Sequence, residues 1–128
     1  FVFASGLRKQ EIILKKIASE DYLTGTGNRR ALNDELVVLN KKLKNHDKTA
    51  SIVLLDLDHF KKVNDKYGHM MGDEVLVKLA KILINFYQSN EKIYRYGGEE
   101  FLIICPEVDS KVAFNKAEEL RQIVKEQS

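Results

Sequence analysis

The 128-residue chain contains one cysteine, Cys105, and one proline, Pro106, and its formal net charge is only +2. A lone cysteine cannot close an internal disulfide, so a fold stapled by bridges is excluded and an intracellular, cytoplasmic setting is the simpler expectation. Cys105 lies in the apolar run Phe101 to Cys105, where a small core side chain is a plainer reading than a reactive thiol. A single proline leaves room for long, regular elements. The near-neutral charge gives no basic field for nucleic acid. No stretch approaches the roughly 18 apolar residues of a membrane span. The apolar start, Phe1 to Ala4, is too short for a signal peptide and lacks its basic residues. Neither a nucleic-acid partner nor direct membrane contact is expected, and no internal repeat or low-complexity segment stands out.

With 44% apolar and 31% charged residues, the chain has the balance of one soluble globular domain. It does not begin with Met, so a piece of a longer protein is expected. Leu7, Ile13, Leu14 and Ile17 mark a first helical stripe, which could pack on the domain or pair with its copy in a second subunit. A polar loop runs from Asp21 to Arg30. Leu32, Leu36, Leu39 and Leu43 then give a second helix with one buried face, broken at Asn45-His46-Asp47-Lys48. Ile52 to Leu55 reads as a strand buried on both faces and central to the sheet, closed by Asp56. A short helix is expected from His59 to Gly68, with Asp58 as a candidate N-cap, and a long one from Gly72 to Tyr87. Ile93 to Tyr96 and Phe101 to Cys105 form a hairpin. Asp109 or Ser110 caps a last helix bearing Ala113, Ala117, Leu120 and Val124. The fold class is α/β, a sandwich of helices on a mostly antiparallel sheet.

The chemistry concentrates at the hairpin tip, Arg95-Tyr96-Gly97-Gly98-Glu99-Glu100-Phe101. Two glycines allow positive φ and close approach of a ligand, and two adjacent carboxylates repel unless a cation is near. Asp56 at a strand end, beside Glu99 and Glu100, makes an oxygen-ligand set suited to Mg²⁺, which takes few carboxylates and fills its shell with waters and substrate phosphates. Taken singly, Asp56 also fits a helix cap and the glutamates a solvated turn. His59 and His69 have no partner at zinc-ligand spacing. His46 fits a solvated loop, and the lysines from Lys41 to Lys48 a solvated helix end.

Three blocks of sequence resemble the GGDEF family, the diguanylate cyclases. Asp21-Tyr22-Leu23-Thr24-Gly25-Thr26-Gly27-Asn28-Arg29-Arg30 is similar to its DxLTGLxNRR entry motif. The stretch from Asp56 to Asp73 matches DxDxFKxxND…GHxxGD, and RYGGEEF is a variant of the naming motif. The resemblance implies a palm-like nucleotide-cyclase fold over residues 20–128, with residues 1–19 as a helical linker from an upstream sensor domain. It implies condensation of two GTP into cyclic di-GMP and two pyrophosphates by a homodimer that uses Mg²⁺ or Mn²⁺. The roles it carries over place Asp56, Glu99 and Glu100 in catalysis, and Asp56, the Leu57 carbonyl and Glu99 on the metal. Phe60, Lys61, Gly97 and Gly98 would lie at the triphosphate, and Asn64 and Asp73 at guanine. A carboxylate accepts from guanine's N1–H and exocyclic amine together, which adenine cannot match. Apart from the likeness, Asn64 fits a helix end and Asp73 an N-cap.

Three departures stand out. Thr26 replaces a usual leucine and is expected to loosen its loop. Gln88 and Glu91 stand where many members carry the RxxD inhibitory product site, so that inhibition is expected to be absent. The family's last strands and closing helix would follow Ser128, so exposed apolar surface, an open strand edge, lower stability and weak turnover are expected. Two other readings stay open: a regulatory GTP-binding or dimerisation module without catalysis, and another palm-like nucleotidyl transferase such as a polymerase or an ATP cyclase.

Overall fold

The computed structural model describes residues 2–46, 48–88 and 90–127, with the side chains of these except residues 2–9, 16 and 46. Phe1, Asp47 and Ser128, and the side chains of Leu7 and His46, lie outside the described residues. In order come α1 (Val2–Ser19), α2 (Arg29–His46), β1 (Ala50–Asp56), α3 (Phe60–Tyr67), α4 (His69–Phe86), β2 (Lys92–Arg95), β3 (Glu100–Pro106) and α5 (Ser110–Gln127). This is the order of elements read from the sequence. The strands form one antiparallel sheet in the order β1-β3-β2.

Side chains alternate across β3, and each face builds its own core. Phe101, Ile103 and Cys105 meet Leu76, Leu79 and Leu83 of α4 and Leu120 of α5. Leu102 and Ile104, with Tyr94, meet Leu32 of α2. Phe101, Ile103, Leu83 and Leu120 are wholly inaccessible, and burial of each contributes about 1.5–3 kcal/mol. Burial also pushes the Cys105 thiol up from its ordinary value, as its place in the core requires.

Four local expectations need correction. Among the described residues β3 is the middle strand, and Asp56 closes an edge strand. The apolar run in β1 is half-buried. Val53 and Leu55 pack into the α4 and α5 core, whereas Ile52 and Leu54 on the opposite face are 53% and 56% exposed. The short helix is preceded by His59 in the left-handed region (φ 61°) with no side-chain cap, so Asp58 is not its N-cap. Gly68, at φ 88°, turns the chain straight into α4, so that helix begins at His69 and Asp73 lies inside it rather than capping it.

Helix α5 is capped as read: Asp109 Oδ1 accepts from the Val112 amide at 2.9 Å. Of the α1 stripe, the described Ile13, Leu14 and Ile17 do not pack on the domain: with neighbouring Ile12 they are 58–69% exposed.

Candidate active site

The loop that follows α1 is built to grip the hairpin. Asn28 holds the helix end, its Nδ2 donating to Ala18 O at 2.7 Å and its amide to Ser19 O at 2.9 Å. Gly27 donates to Ile93 O at 3.0 Å and accepts from the Arg95 amide at 2.8 Å. A Cβ at Gly27 would collide with the Tyr94 ring, so only glycine permits this approach. Thr26 does not loosen the loop. It is 4% exposed, and its hydroxyl bonds Thr24 Oγ1 at 2.8 Å; the polar side chain is satisfied within the turn.

Asp21 is the centre of this network. Its carboxylate accepts from the Thr24 amide at 2.9 Å, the Thr24 hydroxyl at 2.8 Å and Arg95 Nη1 at 3.2 Å. Burial pushes the Asp21 carboxyl up, but the Thr24 hydrogen bonds and the Arg95 guanidinium outweigh it and hold it below its ordinary value. Arg95 also donates from Nη2 to Gly98 O at 3.0 Å. Arg29 stacks over the Tyr96 ring at 4.2 Å and donates to Tyr96 O at 3.2 Å. The N-terminal loop thus holds both sides of the hairpin tip.

At the tip, neither Gly97 nor Gly98 has positive φ, contrary to the expectation from the sequence. The need for glycine is steric. A Cβ on Gly97 would stand 2.6 Å from Glu100 Oε1, while Gly98 faces open space. Gly97 therefore leaves room for a carboxylate, and Gly98 leaves the tip free for close approach.

An open pocket of about 410 Å³ lies between α3, α4 and the hairpin, within the size range of small-molecule sites. It brings together Phe60, Lys61, Asn64, Asp73, Gly98, Glu99 and Glu100. Leu76, Arg95 and His69 also line it; sequence reasoning gave them no part in nucleotide binding. Arg95 was legible as the cation just before the tip, whereas His69 joins the helix of Asp73 only in the structure. Asn64 Oδ1 is buried without a hydrogen-bond partner. It stands where a Cβ on Gly72 would be, so Gly72 admits the amide to the pocket wall. An orphaned buried acceptor of this kind is costly.

Asp56, Leu57 and Gly97 do not line this pocket. Asp56 and Leu57 line a separate cleft of about 380 Å³ with Arg121 and Lys125. Asp56 nonetheless pairs in register with Glu100, and residues directly opposite in antiparallel strands present neighbouring side chains on one face. The Leu57 amide donates to Glu99 O at 3.3 Å, which ties the end of β1 to the hairpin. Among the described residues no three His, Cys, Asp or Glu side chains gather into a metal cage. An ion such as Mg²⁺ needs no such cage, because waters and substrate phosphates complete its shell around few carboxylates; Asp56, Glu99 and Glu100 offer the acids on neighbouring strand ends.

Gln88 and Glu91 lie away from the pocket. Glu91 is paired with Lys116 at 2.6 Å, with its side chain 9% exposed. No helix among the described residues is long and apolar enough to cross a membrane.

Fold and site together define a small α/β domain in which an acid-tipped hairpin faces a pocket between two helices. The chain belongs to the GGDEF family, matching the description "Diguanylate cyclase, GGDEF domain" over residues 18–128. It is 37% identical over 120 residues to the diguanylate cyclase VdcA of Vibrio cholerae, covering 94% of this chain and 34% of that protein. It is 39% identical over 124 residues to the diguanylate cyclase DgcZ of Escherichia coli, covering 95% and 41%. The chain thus spans well under half the length of these relatives. The coiled coil and GGDEF domain of DgcB from Caulobacter crescentus, solved with c-di-GMP, superposes with a TM-score of 0.88 at 31% identity, covering 93% of this chain and 62% of that one.

Proposed function

We propose that the chain is the catalytic domain of a diguanylate cyclase, which joins two GTP into cyclic di-GMP and releases two pyrophosphates. The observation that carries this reading is the gathering of Lys61, Asn64, Asp73, Glu99 and Glu100 around one pocket at the hairpin tip. Asn64 and Asp73 bind guanine, Asp73 accepting from N1–H and the exocyclic amine. Phe60 and Lys61 lie beside the triphosphate, Lys61 as a point charge, and Gly98 lets the backbone approach it. Asp56, the Leu57 carbonyl and Glu99 hold Mg²⁺ or Mn²⁺. When bound, the ion offsets charge on the phosphates and lowers the pKa of an oxygen it touches.

Two such sites meet in a homodimer. Each 3′-hydroxyl attacks the α-phosphate of the other GTP: the new O–P bond forms as the bond to pyrophosphate breaks, and the hydroxyl proton leaves to the acids at Glu99 and Glu100. The exposed Ile13 and Ile17, one helical turn apart on α1, support pairing with a second copy. An upstream sensor would act by changing that pairing.

The alternative is a regulatory GTP-binding or dimerisation module without turnover. The position of Asp56 outside the pocket favours it. Calorimetry with GTP and Mg²⁺, run beside a product assay, separates the two. Cyclic di-GMP formation that disappears in Asp56→Ala and in Glu99→Ala supports the cyclase. GTP binding without product supports the module, and the absence of both refutes each.

A further inference from the structure

We infer that His69 is a specificity-determining residue that donates a hydrogen bond to the O6/N7 edge of the bound guanine. The inference rests on the nucleotide reading above and extends it to a residue with no role so far. His69 is the first residue of α4, immediately after the Gly68 turn. It lies four residues before Asp73, so the two side chains share one helix face. His69, Asp73 and Leu76 line the pocket together with Asn64 on α3. The His69 side chain is exposed and makes no hydrogen bond or ion pair with any described residue.

The chemistry of the base calls for such a donor. A carboxylate on N1–H and the exocyclic amine leaves the neighbouring O6, and N7 beyond it, as acceptors without a partner. Three other pocket side chains carry N–H groups. Arg95 is committed to Asp21 and Gly98 O. Lys61 belongs to the triphosphate end, and Asn64, whose Oδ1 packs against Gly72, already has its own contact with guanine in the reading above. His69 remains, one helical turn from the Asp73 carboxylate, and a neutral imidazole donates through one of its nitrogens. Adenine presents an amine at position 6 and would set donor against donor, so the contact adds to the discrimination made by Asp73.

The test is a binding cycle on this chain with Mg²⁺. GTP, 7-deaza-GTP, which lacks the N7 acceptor, and 6-thio-GTP, which has a poorer acceptor at position 6, are titrated against wild type, His69→Ala and His69→Gln. Wild type should bind at least one analogue about five- to tenfold more weakly than GTP, the worth of one hydrogen bond. His69→Ala should lose the same factor toward GTP and no longer distinguish that analogue. His69→Gln, which keeps an N–H donor, should recover most of the discrimination. Unchanged GTP affinity in His69→Ala, or the full analogue penalty persisting there, overturns the inference and leaves the nucleotide reading intact. Failure of wild type to bind GTP overturns both.

Discussion

Replacing Asp21 with alanine should destabilise the domain by about 3 kcal/mol, the low end of the cost of breaking a largely buried ion pair from one side. The magnitude follows from what the carboxylate holds. It accepts two hydrogen bonds from Thr24 and shares Arg95 Nη1 between its oxygens. The two charged side chains are only 13% and 17% exposed, so solvent screens them little. Hydrogen bonds to a charged group contribute about 1.5–3 kcal/mol each, but Arg95 keeps its bond to Gly98 O at 3.0 Å, which limits the loss. For a domain of this size about 3 kcal/mol corresponds to a fall in Tm of roughly 10 °C. The assay is thermal and urea unfolding of Asp21→Ala, Arg95→Ala and the double variant. The two single effects should be non-additive by more than 1 kcal/mol, because each removes the same contact. The pH dependence has a definite sign. The folded pKa of Asp21 is depressed, so its contribution is present above the ordinary carboxylate pKa and is lost as pH falls through the lower folded value. Additive single variants, or an Asp21→Ala loss below about 0.5 kcal/mol with no change in acid sensitivity, would refute the account.

Gly72→Ala should cost about 1–3 kcal/mol by overpacking, because its Cβ would displace the Asn64 amide and stand 3.2 Å from Phe60 Cζ; it should weaken nucleotide binding more than an equally destabilising core variant, as read by chemical denaturation beside calorimetry. Cys105 should react with iodoacetamide only as fast as the fold opens, since the thiol is 2% exposed and burial pushes its pKa up; labelling in native buffer as fast as in urea would contradict this.

The elements were legible because each carries a local signal. The leucines of α2 and α4 recur at helical spacing, Asp109 caps α5, and the hairpin is punctuated by adjacent glycines. The errors have a common physical source in tertiary contacts. An apolar run such as Ile52 to Leu55 shows that a strand exists but not which faces are covered, so half of β1 was misread. The left-handed His59 carries no sequence signal, because the conformation is imposed by the turn out of β1. The start of α4 was placed late because Gly68 and Gly72 look alike in sequence. Only the fold shows that the first turns the chain and the second admits Asn64.

The site divides in the same way. Phe60, Lys61, Asn64, Asp73, Gly98, Glu99 and Glu100 do share one pocket, whereas Asp56 meets it only through its register with Glu100. The role of Arg95 became visible only from structure, because its partner Asp21 is 74 residues away. That distance gives the pair its mechanical meaning. Asp21 follows the end of α1 by two residues, and the other nitrogen of the Arg95 fork holds the carbonyl of Gly98. One carboxylate and one guanidinium therefore join the segment just after α1 to the turn that carries Glu99.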